Sequence, residues 1–203
     1  LPPVWQYGYG AFDAEAGRLG SFTPLPHFHE NQWRGGPALP DSRLGWLTLN
    51  ARGGRPGGRR HGAAVRRWTA PRDGGVEITG RLKHDAEKGD GVRATVLASG
   101  GRVLGQWTAK QQATGTRVER ASVRRGDTLD FVVDCLENEH SDSFEWAPKV
   151  RLIEPAAGAP AAASMTWDAA ADFSGPQAPA RPLNRLERYA QVVLMSNEFA
   201  FVD

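Results

Sequence analysis

Cysteine is nearly absent from this chain: Cys135 is the single one in 203 residues. No disulfide can therefore form within the chain, and one cysteine neither requires nor excludes an exported location. Free cysteine is among the residue types most often buried, and Cys135 falls on the apolar side of a predicted strand. We therefore expect a buried, inert thiol.

Long apolar runs and an excess of one charge are also missing. No stretch of 18 apolar residues occurs, so the sequence predicts no segment that spans a membrane. Lysine and arginine number 25 against 23 aspartate and glutamate residues, which gives no general attraction for nucleic acid. The chain begins at Leu1 rather than at methionine, and we interpret it as a piece of a longer protein.

Motifs of catalysis are absent as well. The sequence contains no G-x-S-x-G, H-E-x-x-H or phosphate-loop pattern. His27 and His29 form an H-x-H pair, but two ligands do not make a metal site. Asp127, Asp130, Asp134 and Asp142 are close together in sequence, and on the water-facing side of a predicted strand we expect such carboxylates to ionise rather than keep the raised pKa of a general acid. The sequence therefore predicts a protein that is not an enzyme.

Glycine and proline, by contrast, are abundant, with 24 and 14 residues, and fit short strands joined by turns. The clearest strand follows the turn at Gly126, where Leu129, Phe131 and Val133 alternate with Asp130 and its neighbours. About nine or ten such strands at roughly 8–12-residue spacing are typical of a sandwich. The sequence predicts an all-β protein, an antiparallel β-sandwich of the jelly-roll type.

The pattern divides the chain into three parts. Residues 1–154 carry the predicted sandwich, and residues 155–183 form an Ala/Pro-rich linker in which Trp167 and Phe173 are the residues that could pack on the sandwich. Residues 184–203 predict one C-terminal α-helix, which opens on a capping box of Asn184 and Glu187. An apolar stripe on this helix requires a partner surface.

Several strings along the chain are distinctive: WQYGYGAFD, LPDSRLGW, AAVRRWTAPRDGGVEITGRLKH, GDGVRA, GDTLDFVVD, DSFEWAP and YAQVVLMSNEFAFVD. Together they resemble one family, the C-terminal region of large planctomycetal surface proteins that pair a cytochrome-c-like domain with domains of unknown function. The resemblance implies a carbohydrate-binding-like jelly roll outside the cytoplasm, whose partners are the remaining domains of its parent. It also implies that the helix at 184–203 belongs to the flanking domain. No C-x-x-C-H haem-attachment motif occurs, so we expect no haem in this piece.

Seven tryptophans in one domain favour a polysaccharide ligand, because sugar rings stack their C–H faces on indoles. The predicted ligand-binding residues are three tryptophans near turns and three polar residues at a strand–turn–strand junction: Trp33, Trp46, Trp107, His84, Asp90 and Arg93. Core packing is the alternative for any single tryptophan, and we expect it for Trp68 and Trp146. If the aromatic residues are buried, the sandwich is instead a structural or protein-interaction domain.

One cofactor is suggested by the polar loop that follows Cys135. The carboxylate of Asp142 and the carbonyl groups of residues 136–141 are hard oxygen ligands of the kind that calcium prefers. A solvated Asx turn is the alternative interpretation of the same residues.

Overall fold

The computed structural model describes residues 3–58, 62–155 and 165–176, together with residue 189. Strands dominate this part of the chain, and short turns join them. In chain order they are β1 (Trp5–Gly10), β2 (Phe12–Asp13), β3 (Arg18–Leu19), β4 (Thr23–Pro24), β5 (His27–His29), β6 (Gln32–Arg34), β7 (Thr48–Asn50), β8 (Gly53–Arg55), β9 (Ala63–Thr69), β10 (Gly74–His84), β11 (Val92–Ala98), β12 (Arg102–Ala109), β13 (Gln112–Val123), β14 (Thr128–Asp134), β15 (Phe144–Glu145), β16 (Lys149–Pro155) and β17 (Thr166–Asp168).

The strands form two large sheets and one small hairpin. Six strands make the first sheet in the order β12-β11-β14-β9-β1-β4, and nine make the second, β17-β16-β10-β15-β8-β7-β6-β5 with β13 paired to β10. Strands β2 and β3 form the hairpin. The pairs within the described residues are antiparallel. The predicted all-β, antiparallel class is confirmed.

One hydrophobic core joins the two sheets, and aromatic rings run through it. Phe131 of the first sheet lies 5.7 Å, between ring centroids, from both Trp5 and Trp146. Trp146 follows β15 of the second sheet, so this contact crosses the space between the sheets. Its indole N–H donates to Thr116 Oγ1 at 3.0 Å, which satisfies the polar atom that burial would otherwise leave unpaired. Trp68 and Trp146 are core residues, as the sequence predicts.

The outer face of the first sheet is covered rather than open to water. Val132 of β14 is fully buried in a second, smaller cluster, against which Phe12 and Phe22 pack from the β2–β3 region. The alternation predicted for β14 is confirmed, but the expected water-facing side is wrong, because the sequence pattern does not reveal the hairpin above it. Asp130 and Asp134 on this face form ion pairs with arginines of neighbouring strands.

Residues 165–176, within the stretch predicted as a linker, pack on the sandwich. Strand β17 pairs with β16 and extends the second sheet. Trp167 lies 5.2 Å from buried Trp68, and Phe173 lies 4.8 Å from Tyr7, between ring centroids. Pro155 ends β16, whereas linker residues 156–164 and 177–183 and the predicted helix at 184–203 fall outside the described residues, apart from Tyr189. Within the described part of the chain, no helix is long and apolar enough to cross a membrane.

We expect Trp167→Ala to lower the free energy of unfolding by about 2–3 kcal/mol, somewhat less than a fully buried indole contributes, because Trp167 is half-buried against Trp68. Met165→Ala is the matched control: this side chain is exposed, and we expect a change within about 0.5 kcal/mol. Urea unfolding of the full chain measures both. Equal losses for the two variants would show that β17 adds no specific stability.

Candidate functional site

Strand register brings several loops to one end of the first sheet. Gly10 pairs with Ala63 and Arg93 pairs with Asp134, so the end of β1, the start of β9, the start of β11 and the end of β14 lie side by side. The loop from Cys135 to Ser143, which follows β14, lies at this end and is called the rim loop below.

The rim loop is held by residues from other elements. Asp90, in the β10–β11 turn, accepts hydrogen bonds through Oδ2 from the amides of Glu137 (2.9 Å) and Asn138 (3.2 Å). His84, at the end of β10, lies 3.0 Å through Nε2 from the carbonyl oxygen of Ser141. A carbonyl group can only accept, so Nε2 of His84 carries a hydrogen and donates it. His84 is 1% exposed, which places its ring beneath the loop rather than at the surface.

Asp142 is a buried carboxylate without a hydrogen-bond donor. Its side chain is 1% exposed, and neither carboxylate oxygen has a partner among the described residues. Burial raises the pKa of its carboxyl group to about 7, and the negative charge of nearby Asp90 adds to the rise. Asp90 Oδ1 is likewise buried and without a partner. A solvated Asx turn therefore does not describe Asp142.

A groove of about 740 Å³ opens beside the rim loop. Arg93 and Asp134 line it, and they form a two-pronged ion pair with nitrogen–oxygen distances of 3.0 and 2.7 Å. The Arg93 guanidinium lies 6.0 Å from the ring centroid of Phe12, and half-buried Tyr9 lines the same groove. The turn after β2 and glycines of the β8–β9 connection complete the walls, together with Glu137 of the rim loop.

Trp46 extends this surface beyond the groove. It is 48% exposed, the most exposed tryptophan of the chain, and the Arg55 guanidinium lies 5.4 Å from its ring centroid. Arg55 also donates to the carbonyl oxygen of Glu139 in the rim loop at 3.4 Å. The Glu139 carboxylate in turn packs closely on Gly58, a groove residue. We call the groove and the Trp46 face together the rim surface.

The other two predicted tryptophans lie elsewhere. Trp33 donates its N–H to the carbonyl oxygen of Ser174 at 2.9 Å and packs against Tyr7 and Phe28. The ring of Trp107 lies over Gly105 of its own strand and packs against the main core. Both rings are therefore engaged in packing, while His84, Asp90, Arg93 and Trp46 connect to the rim loop or the groove.

Sequence reasoning missed several residues of the rim surface: Tyr9, Phe12, Arg55, Asp134 and Glu139. Asp134 was available as an acidic residue at a strand end, but its partner Arg93 is 41 residues away and only the β11–β14 register joins them. His27 and His29 do stack on β5, with ring centroids 6.2 Å apart. Across the described residues, no three His, Cys, Asp or Glu side chains are grouped so that they could hold a metal ion.

No protein-family model and no curated protein matches this chain, so the resemblance to planctomycetal surface proteins stays a prediction. One similar solved structure is a PA14 sugar-binding domain from an RTX adhesin, with 10% identity and a TM-score of 0.33 over 57% of this chain and 55% of that one. The chain thus spans about half the length of the adhesin structure. Another is the C-terminal CBM6 of LamC, a marine laminarinase from Zobellia galactanivorans, with 16% identity and a TM-score of 0.27 over 42% and 71%. Because both TM-scores lie below 0.5, the function has to follow from this chain's own residues.

Cys135 begins the rim loop and is buried, as the sequence predicts. Burial raises the pKa of its thiol to about 11, and Asp142 adds to the rise. We expect Ellman's reagent to label this thiol at least about 100-fold more slowly at about pH 8 than an exposed thiol, since only the thiolate reacts. A Cys135→Ser, Ser143→Cys double variant supplies the exposed control in the same loop. Equal rates in the two folded proteins would show that the rim loop opens readily.

Proposed function

We propose that this chain is a non-catalytic, jelly-roll-type module that binds a polysaccharide on its rim surface, as part of a larger protein outside the cytoplasm. The observation that carries the proposal is the continuity of the rim surface. A 740 Å³ groove with aromatic and charged walls leads through Gly58, Glu139 and Arg55 to the exposed face of Trp46.

The chemistry of this surface suits a sugar chain. An exposed indole offers a flat apolar face to the C–H side of a pyranose ring, and Arg55 on one side of Trp46 limits how the ring is approached. The groove supplies carboxylates and a guanidinium that exchange hydrogen bonds with hydroxyl groups. Because Arg93 and Asp134 already hold each other, they are fixed before a ligand arrives and lose little side-chain entropy on binding.

The residues beneath the surface have a different role. His84 and Asp90 support the rim loop, and we assign them the positioning of the loop rather than contact with sugar. Their neighbour Asp142 has the raised pKa of a general acid, but its carboxylate is buried and does not line the groove. A glycosidic oxygen would have to come within hydrogen-bond distance of that carboxyl group to be protonated. The proposal is therefore for binding without hydrolysis.

A structural role within the parent protein is the second candidate. An apolar pocket of about 260 Å³, lined by Trp5, Tyr7 and Trp33 among others, lies where the described chain reaches Pro176. Such a pocket suits packing against protein rather than hydrated sugar. Trp33 and Trp107 already serve packing in the sandwich.

Affinity electrophoresis of the full chain in gels that contain plant or algal polysaccharides tests the proposal. We expect retardation by one polymer class and a loss of about five- to thirtyfold in affinity for Trp46→Ala, since a stacked ring contributes on the order of 1–2 kcal/mol. Ala14→Trp should weaken binding as well, because Ala14 lines the groove and a large ring there would fill it.

Val103→Ala is the matched control, because Val103 is similarly exposed at 43% and lies outside the groove lining. It should leave retardation unchanged. A folded wild-type chain that no polymer retards would favour the structural role. Retardation that both Trp46→Ala and Ala14→Trp leave intact would place the ligand on another surface.

A further inference from the structure

Three buried oxygen atoms under the rim loop accept no hydrogen bond from the part of the chain that the structure describes. They are Oδ1 and Oδ2 of Asp142 and Oδ1 of Asp90. The two carboxylates are close enough for the charge of one to raise the pKa of the other. Two like charges that are shielded from water and unpaired are strongly unfavourable, so a positively charged group or a proton has to compensate them.

Several donors near these oxygen atoms hold other partners. Among the described residues, Arg55 is the cation whose charge favours ionised Asp142, but its guanidinium donates to the Glu139 carbonyl group and lies over Trp46. The Nε2–H of His84 points to the Ser141 carbonyl group, and His84 Nδ1 makes no hydrogen bond among the described residues. The backbone amides of Glu137 and Asn138 in the rim loop donate hydrogen bonds to Asp90 Oδ2.

We propose that a hard divalent cation, calcium, binds between the carboxylates of Asp142 and Asp90 beneath the rim loop. The loop lies tightly on the turn that carries Asp90: a Cβ added at Gly89 would collide with the His140 carbonyl group and lie 3.5 Å from Asp142 Oδ1. Carbonyl groups are therefore near the two carboxylates, and calcium readily takes backbone oxygens and water to complete its shell.

The donor set also argues against a soft metal. The described residues bring no group of three His, Cys, Asp or Glu side chains together here, as a zinc site needs. Asp90 and Asp142 do not line the groove, so a cation bound between them lies under the rim loop and does not contact the sugar directly.

Calorimetric titration of the full chain with calcium chloride alone, after removal of metals with EDTA, tests the proposal. We expect one binding site in the wild type and none in Asp142→Asn. Differential scanning fluorimetry should show a rise of about 3–6 °C in melting temperature at a calcium concentration of about ten times the dissociation constant. Without calcium, Asp142→Asn should melt at or above the wild-type temperature, because it removes an uncompensated charge.

Asp127→Asn is the matched control. Asp127 caps the β13–β14 turn at the opposite end of β14 by accepting the Arg124 amide through Oδ2. This variant should keep the full calcium response. No heat and no melting shift in a folded wild type would overturn the proposal and leave a protonated Asp142 as the compensation. A response to zinc but not to calcium, or an equal calcium response in Asp142→Asn, would overturn it too. Polysaccharide binding is measured separately, so either result can fail alone.

Discussion

The rim loop can keep its shape only because other elements supply the hydrogen bonds that it cannot make to itself. A loop buried against a sheet end has backbone groups that need partners, and here they come from Asp90, His84 and Arg55. Leu136 and Ser141 adopt left-handed backbone conformations, with φ of 54° and 66°, which non-glycine residues rarely hold without such support. The groove wall and the burial of Asp142 both depend on this arrangement.

Polar groups on the outer face of the first sheet are also satisfied by residues of other strands. Two arginine–aspartate pairs, Arg67–Asp130 and Arg93–Asp134, each join neighbouring strands, and each guanidinium lies near a phenylalanine ring from the β2–β3 region. Pairing neutralises the charges, so phenylalanine can cover them without leaving an isolated ion. Phe22 covers the Arg67–Asp130 pair, while the Arg93–Asp134 pair lines the groove. The same packing unit therefore recurs twice on this face, and one copy of it forms part of the groove wall.

The fold was more predictable from the sequence than the site. The alternation of apolar and polar residues in β14 and the turn residues around it predicted antiparallel strands. This was possible because a period of two residues can be recognised within a single short segment. The cover over that strand comes from Phe12 and Phe22, more than a hundred residues earlier, and no local pattern reports it. Arg66 shows the same limit. It is buried and donates to the carbonyl groups of Asn50 and Gly53, which belong to the other sheet and which no local pattern connects with it. Of the predicted binding residues, His84, Asp90 and Arg93 come from one strand–turn–strand junction and lie close to one another in the structure. The three tryptophans lie in different places, because an indole packs equally well in a core and at a surface.

Residues 165–176 also affect how the chain folds during synthesis. The Trp5 indole N–H donates to Asp172, 167 residues further along, and Trp33 donates to Ser174. The earliest strand of the sandwich is therefore completed by nearly the last described residues. Until those residues leave the ribosome, Trp5, Tyr7 and Trp33 lack part of their cover. Chains with such distant contacts fold late and expose apolar surface in the meantime, which makes this aromatic patch the place where nascent chains would associate or recruit a chaperone.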